Sequence, residues 1–181
     1  LKVVIPASPY EAKGLLISAI RDPDPVIFLE PKRVYRAIKE EVPEQEYTIP
    51  IGKARVVQEG RDLTLIAYGS MLWITQKALA QAGSRYSIEL IDLRTISPLD
   101  TETIINSVKK TGRCVIVHEA PKSFGVAAEI IAQINERAIF DLIAPVERVT
   151  GYDTVMPFFK NEARYLPDEG RIIAAINKVM G

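Results

Sequence analysis

The sequence predicts an α/β fold, with a mostly parallel sheet flanked by helices and a shorter strand–helix–strand piece ahead of it. Three observations lead there. Short, almost wholly apolar runs recur at Val3–Ile5, Val26–Leu29, Leu63–Tyr68, Ile88–Leu93 and Cys114–His118, as expected of strands buried on both faces. Segments with apolar residues at helical spacing alternate with these runs. Between the second and third runs, residues 37–52 carry Pro43, Pro50 and five acidic or basic side chains from Lys39 to Glu46 with little apolar periodicity, which marks a connector.

Element by element, Ser8 caps the first helix, Pro9 suits its first position, and Glu11 completes a capping box. Ala12, Leu15, Leu16, Ala19 and Ile20 form its apolar face. Asp22-Pro23-Asp24-Pro25 stops it, because the residue before proline avoids helical geometry. Past the connector, Gly69-Ser70 opens a helix with Met71, Ile74, Ala78, Leu79 and Ala82 on one face and Gly83 as its stop. Asp100 precedes a helix bearing Ile104, Ile105 and Val108, closed near Gly112. Ala127, Ile130, Ile131 and Ile134 mark another, Val146–Thr150 a last strand, and Asp168 caps a final helix with Ile172, Ile173, Ile176 and Val179. The division is 1–36, a connector at 37–52, and 53–181.

Composition excludes several function classes. Of 181 residues, 48% are hydrophobic and 25% charged, which argues against disorder. Lys+Arg and Asp+Glu are both 23, so no basic excess draws nucleic acid or an anionic membrane. No apolar run approaches the roughly 20 residues of a membrane helix. Cys114 is the only cysteine, so no intrachain disulfide forms, which fits a reducing, cytoplasmic setting. The chain opens inside a strand without an initiator Met, and reads as part of a larger subunit.

Local chemistry stops early. His118, the only histidine, ends a strand ahead of Glu119, at the sheet edge where open α/β folds bind ligands. The pair could serve as acid and base, but a lone histidine is more often bonded to a loop carbonyl or a subunit contact. Cys114 shares its strand face and makes only half a zinc site. Gly69-Ser70 sits at a helix N-terminus without any Gly-x-Gly pattern, and reads as a cap. Asp22 and Asp24, beside the free carbonyls of a helix end, offer hard oxygen ligands, though spacing alone reads as a solvated turn. No nucleophile, base and orienter assemble at recognisable spacing.

Longer motifs carry more. Ser8-Pro9-Tyr10-Glu11-Ala12-Lys13-Gly14-Leu15-Leu16, Phe28-Leu29-Glu30-Pro31-Lys32, Glu41-Val42-Pro43, Ile49-Pro50-Ile51-Gly52-Lys53-Ala54, Ile91-Asp92-Leu93-Arg94-Thr95, His118-Glu119-Ala120-Pro121 and Val149-Thr150-Gly151-Tyr152-Asp153-Thr154 span nearly the whole chain. In this order they closely resemble the beta subunit of thiamine-diphosphate-dependent 2-oxo acid dehydrogenases, of the pyruvate and branched-chain type.

The resemblance implies that residues 1–36 end a pyrimidine-binding domain and that 53–181 form a transketolase-type C-terminal domain. It implies oxidative decarboxylation of a 2-oxo acid, with the acyl unit passed to a lipoyl group. The lean is toward branched-chain substrates. Thiamine diphosphate and magnesium would be held outside this segment, whose own role is assembly and docking, and the segment alone would be inactive. Implied partners are an alpha subunit, a second beta subunit, and the subunit-binding domain of a lipoyl acyltransferase. Branched-chain relatives hold a potassium ion at positions that match Ala19 (backbone), Asp22 (backbone) and Asp24, the last an Asn in the family pattern. An acidic residue commonly precedes the Ala-Pro pair at the docking face. Here Ile143 precedes Ala144-Pro145, which leaves Glu147, Asp153 and the C-terminal end as substitutes. A freestanding interaction module without catalysis is the competing reading. A transketolase or deoxyxylulose-phosphate synthase is disfavoured by the Glu-Val-Pro and Ile-Pro-Ile-Gly-Lys-Ala connector.

Overall fold

The computed structural model describes residues 1–181. Lys2–Val4 (β1), Pro9–Arg21 (α1) and Val26–Phe28 (β2) come first. Then follow Arg55–Gln58 (β3), Leu63–Ala67 (β4), Ser70–Ala82 (α2), Ile88–Asp92 (β5), Thr95–Ser97 (β6) and Thr101–Thr111 (α3). Cys114–Pro121 (β7), Val126–Ala138 (α4), Glu147–Gly151 (β8), Phe159–Tyr165 (α5) and Glu169–Met180 (α6) complete the chain.

Two sheets result. The larger has the order β3-β5-β4-β7-β8, parallel throughout except for the antiparallel edge strand β3. Strands β4 and β5 are buried at every position, as their unbroken apolar runs require. Alternate residues point to opposite faces. Leu63, Leu65, Leu90, Val115 and Val117 pack with Met71, Ala78, Ile172 and Ile176 of α2 and α6. Ile66, Ile91, Cys114 and Ile116 pack with Ile104, Val108, Ile130 and Ile134 of α3 and α4. The one polar residue inside β4, Thr64, is satisfied by Ser107 Oγ at 2.6 Å and Thr111 Oγ1 at 2.8 Å.

The smaller sheet has the order β2-β1-β6. Strands β1 and β2 are parallel, the expected strand–helix–strand unit. β6 was not anticipated: it reaches back from beyond β5 to pair antiparallel with β1. A two-stranded parallel unit is marginal by itself, and β6 supplies the third strand. The connector holds no regular element apart from turns, yet it is packed. Ile49 is buried against α1, where Ser18 Oγ donates to its carbonyl at 2.6 Å. A Cβ on Gly14 would stand 2.7 Å from Ile49 Cγ1, so glycine is needed for this approach.

The caps follow the sequence with one difference. Ser8, Asp100 and Asp168 accept from the backbone N–H groups of Glu11, Thr103 and Arg171, and Gly83 and Gly112 close α2 and α3 with positive φ. Glu11 does not return to the N-cap residue. Its Oε2 accepts from Ala7 N–H at 3.1 Å, and its other oxygen faces the C-terminal part of the chain.

Candidate functional site

In the larger sheet β4 leads through α2 to β5 on one side, and the chain then returns through α3 to β7 on the other. The strand order therefore reverses between β4 and β7, where ligand crevices form beyond the C-terminal strand ends. Tyr68, Gly69 and Ser70 leave β4 at this point, and His118 and Glu119 lie in the last half of β7.

The structure brings these residues together. The Tyr68 and His118 rings stack with centroids 6.3 Å apart. Ser70 Oγ donates to Glu119 Oε1. His118 is fully buried and neither ring nitrogen makes a hydrogen bond of good geometry, while the Ala120 backbone lies close enough to act on the ring. A Cβ on Gly125 would stand 2.7 Å from His118 Cε1, which fixes the loop leading into α4 against the ring. Burial holds the imidazole below its ordinary 6.5, against the opposing pull of the Ala120 backbone and with nearby Arg148 adding to the shift. Burial also pushes the Tyr68 phenol up, with Glu119 acting in the same direction. The assembly is a packed, charge-poor corner. The carboxylate beside the α2 N-terminus opposes anion binding there, and the Ser70 hydroxyl is engaged by Glu119 rather than by His118. Cys114 is buried in the core, where desolvation raises its thiol.

At the other end of α1, the Ala19 carbonyl accepts from Asp22 N–H at 3.4 Å, a long bond that leaves capacity free. The Asp22 and Asp24 carboxylates turn to Lys2, with Nζ 2.7 Å from Asp22 Oδ1 and 3.2 Å from Asp24 Oδ2. The Lys2 ammonium lowers Asp22 and is itself raised. Two carbonyls and an exposed carboxylate are oxygen donors that fit an alkali cation, with Lys2 as competitor. No group of three or more His, Cys, Asp or Glu side chains comes together as a metal site.

Near the proposed docking motif, Ile143 N–H donates to Gly112 O at 2.9 Å while its side chain stays exposed. Glu147 is paired with Lys178 at 2.7 Å. Asp153 accepts from both the N–H and the hydroxyl of Ser123 at 2.8 Å, which ties the loop after β7 to the loop after β8.

A second constellation was not foreseen. Fully buried Glu11 meets Arg94 Nε at 2.8 Å and an Arg55 terminal nitrogen at 3.2 Å. Asp92 lies alongside, pushed well above the usual carboxylate range by burial and then by Glu11. Nothing in the spacing joins residues 11, 55 and 94, which meet only through the pairing of β1 with β6 and of β3 with β5.

The family model for the transketolase C-terminal domain matches residues 52–172. The chain belongs to that family. Among curated proteins it is similar to the pyruvate dehydrogenase E1 component subunit beta of Acholeplasma laidlawii, 54% identical over 180 residues, covering 99% of this chain and 55% of that protein. The subunit of the same name from Bacillus subtilis (strain 168) is 53% identical over 181 residues, covering 99% and 56%. The chain thus spans about half the length of the curated relatives it matches. A solved structure described as a split gene transketolase, inactive beta4 tetramer, superposes with a TM-score of 0.81 at 21% identity, covering 99% of this chain and 57% of that one. The transketolase-type fold expected from the sequence is therefore observed, as a mixed sheet with a parallel centre.

Proposed function

We propose that this chain is part of the beta subunit of a thiamine-diphosphate-dependent 2-oxo acid dehydrogenase, and serves subunit assembly and docking within it. The observation that carries the reading is the identity above 50% along 99% of the chain to two subunits so named. Both are pyruvate components, which favours pyruvate over the branched-chain substrate, between which the motifs themselves do not discriminate. Residues 1–36 then end the pyrimidine-binding domain, 37–52 link, and 53–181 form the C-terminal domain. Thiamine diphosphate and magnesium, which supply the electron sink for decarboxylation, are held by other segments. This chain contributes no proton carrier to the reaction: His118 is enclosed and Glu119 is engaged by Ser70. The partners are an alpha subunit, a second beta subunit and a lipoyl acyltransferase, with no part for nucleic acid or membrane, in the cytoplasm. No helix is long and apolar enough to cross a membrane.

The test is reconstitution. A full-length beta chain with its alpha partner is expected to turn over pyruvate faster than 2-oxoisovalerate, and residues 1–181 with the same partner to turn over neither. Turnover by the 181-residue chain refutes the placement of the active centre. If residues 1–181 bind no alpha subunit, the freestanding-module reading takes its place.

The proposal extends to potassium at the carbonyls of Ala19 and Asp22 and the carboxylate of Asp24. Binding to the folded state alone raises stability by RT ln(1 + [K⁺]/Kd). Exchanging sodium for potassium at constant ionic strength is expected to raise Tm in the native chain, and more so in Lys2→Met. Equal Tm in both salts for both proteins removes the ion from the reading.

A further inference from the structure

The cluster of Glu11, Arg55, Asp92 and Arg94 joins α1 to the end of β5 and to β3 in a buried setting. Glu11 Oε2 accepts from Ala7 N–H at 3.1 Å, and its Oε1 takes both arginines. Asp92 Oδ1 accepts from Arg94 N–H at 3.2 Å, but Oδ2 is buried with no partner. An ionised carboxylate with an unsatisfied buried oxygen is costly, and two carboxylates side by side in a dry site do not both ionise. Glu11 has the donors that an anion needs. Asp92 Oδ2 lacks them, and burial with Glu11 alongside holds this carboxyl well above the usual range against the pull of Arg94 and Arg55.

The same four residues sit on a strained joint. Arg94 has φ +57, a left-handed backbone that non-glycine residues rarely adopt. Its carbonyl accepts from Ile5 N–H at 2.8 Å, next to the β1–β6 pairing. On the solvent side, Lys39 and Glu40 of the connector and the single tryptophan, Trp73, line one cavity of about 320 Å³ with Ala7 and Arg55.

We propose that this cluster is a proton-dependent latch: one proton held between Asp92 and Glu11 keeps the β1–α1–β2 segment seated on the larger sheet, and losing it as pH rises releases the segment. Asp92 is raised in the folded state. The latch is therefore complete at low pH and is lost as pH climbs through that raised value. The charged groups facing the pair are Arg94 and Arg55, with Lys39 and Glu40 further out around the cavity that Arg55 lines.

Trp73 emission of the 181-residue chain, followed from about pH 5 to 9, is expected to show one reversible step. Asp92→Asn keeps the shape and removes the ionisation, and is expected to abolish the step. Glu11→Gln removes the anion that raises Asp92 while the arginines remain, and is expected to move the step down by about one pH unit or more. The same step in Asp92→Asn, its absence from the native chain, or an unmoved midpoint in Glu11→Gln overturns the latch. If Asp92→Asn does not fold, the Glu11→Gln midpoint decides.

Discussion

His118 shows how an enclosed titratable group shapes stability. A neutral imidazole tolerates burial, whereas an imidazolium there is desolvated with only the Ala120 backbone to offset the cost. Its folded-state value is depressed below 6.5. Folding stability tied to it is therefore complete above 6.5 and is lost as pH falls toward the depressed value. His118→Leu removes an unpaired polar group from an apolar corner and is expected to be near neutral at pH 8. Urea midpoints measured from pH 8 to 5 should fall for the native chain and fall less for the variant. Parallel curves would mean that other groups carry the acid sensitivity. Tyr68, Glu119 and Arg148, the groups around the ring, are unchanged in this comparison.

Among the elements, α3 depends on one side chain more than any motif suggested. Asp100 Oδ1 accepts from Thr103 N–H at 3.3 Å, and Oδ2 from Thr103 Oγ1 at 2.9 Å and from Ala54 N–H at 3.0 Å. It caps the helix and also anchors the end of the connector just before β3. An N-cap loss costs about 1 kcal/mol and an orphaned, part-buried N–H adds about 1–3 kcal/mol. Asp100→Ala is expected to lower stability by roughly 2–4 kcal/mol, read as a lower urea midpoint at unchanged slope. A loss below about 0.5 kcal/mol would show that Ala54 finds another acceptor.

The cap was legible in the sequence because it is local: Asp100 stands before an apolar 3.6-residue period. The five strands with continuous apolar runs and the helices that separate them were legible for the same reason. β3 and β6 were not. Arg55-Val56-Val57-Gln58 and Thr95-Ile96-Ser97 are short and half polar, and they become strands only because β5 and β1 offer open edges. The partner of Glu11 was hidden for the same reason, since the capping-box pattern names a neighbour three residues away and the actual partner is 83 away.

At the scale of the molecule, the larger sheet is closed on both faces by helices, yet several large apolar side chains of its loops stay in solvent. Phe124, Val155, Phe158 and Phe159 are almost fully exposed, between 88% and 103% of their free surface. Phe124 lies in the loop after β7 and the others follow β8. The Ser123–Asp153 pair and the Arg148 bond to Lys122 O at 2.9 Å hold these loops together. The aromatic side chains thus stand on a braced base, a suitable anchor for the subunit partner proposed above. Folding gains little from them, so Phe158→Ser with Phe159→Ser is expected to leave Tm nearly unchanged, as surface substitutions do. A phenylalanine buried at an interface removes about 150 Å² or more from water at roughly 25 cal/mol per Å². The double variant is therefore expected to weaken association with the alpha subunit by about a hundredfold or more. Sedimentation of the mixed chains gives the reading: an unchanged complex at micromolar concentration would place the interface elsewhere, and a lowered Tm would show that the two rings serve the fold instead.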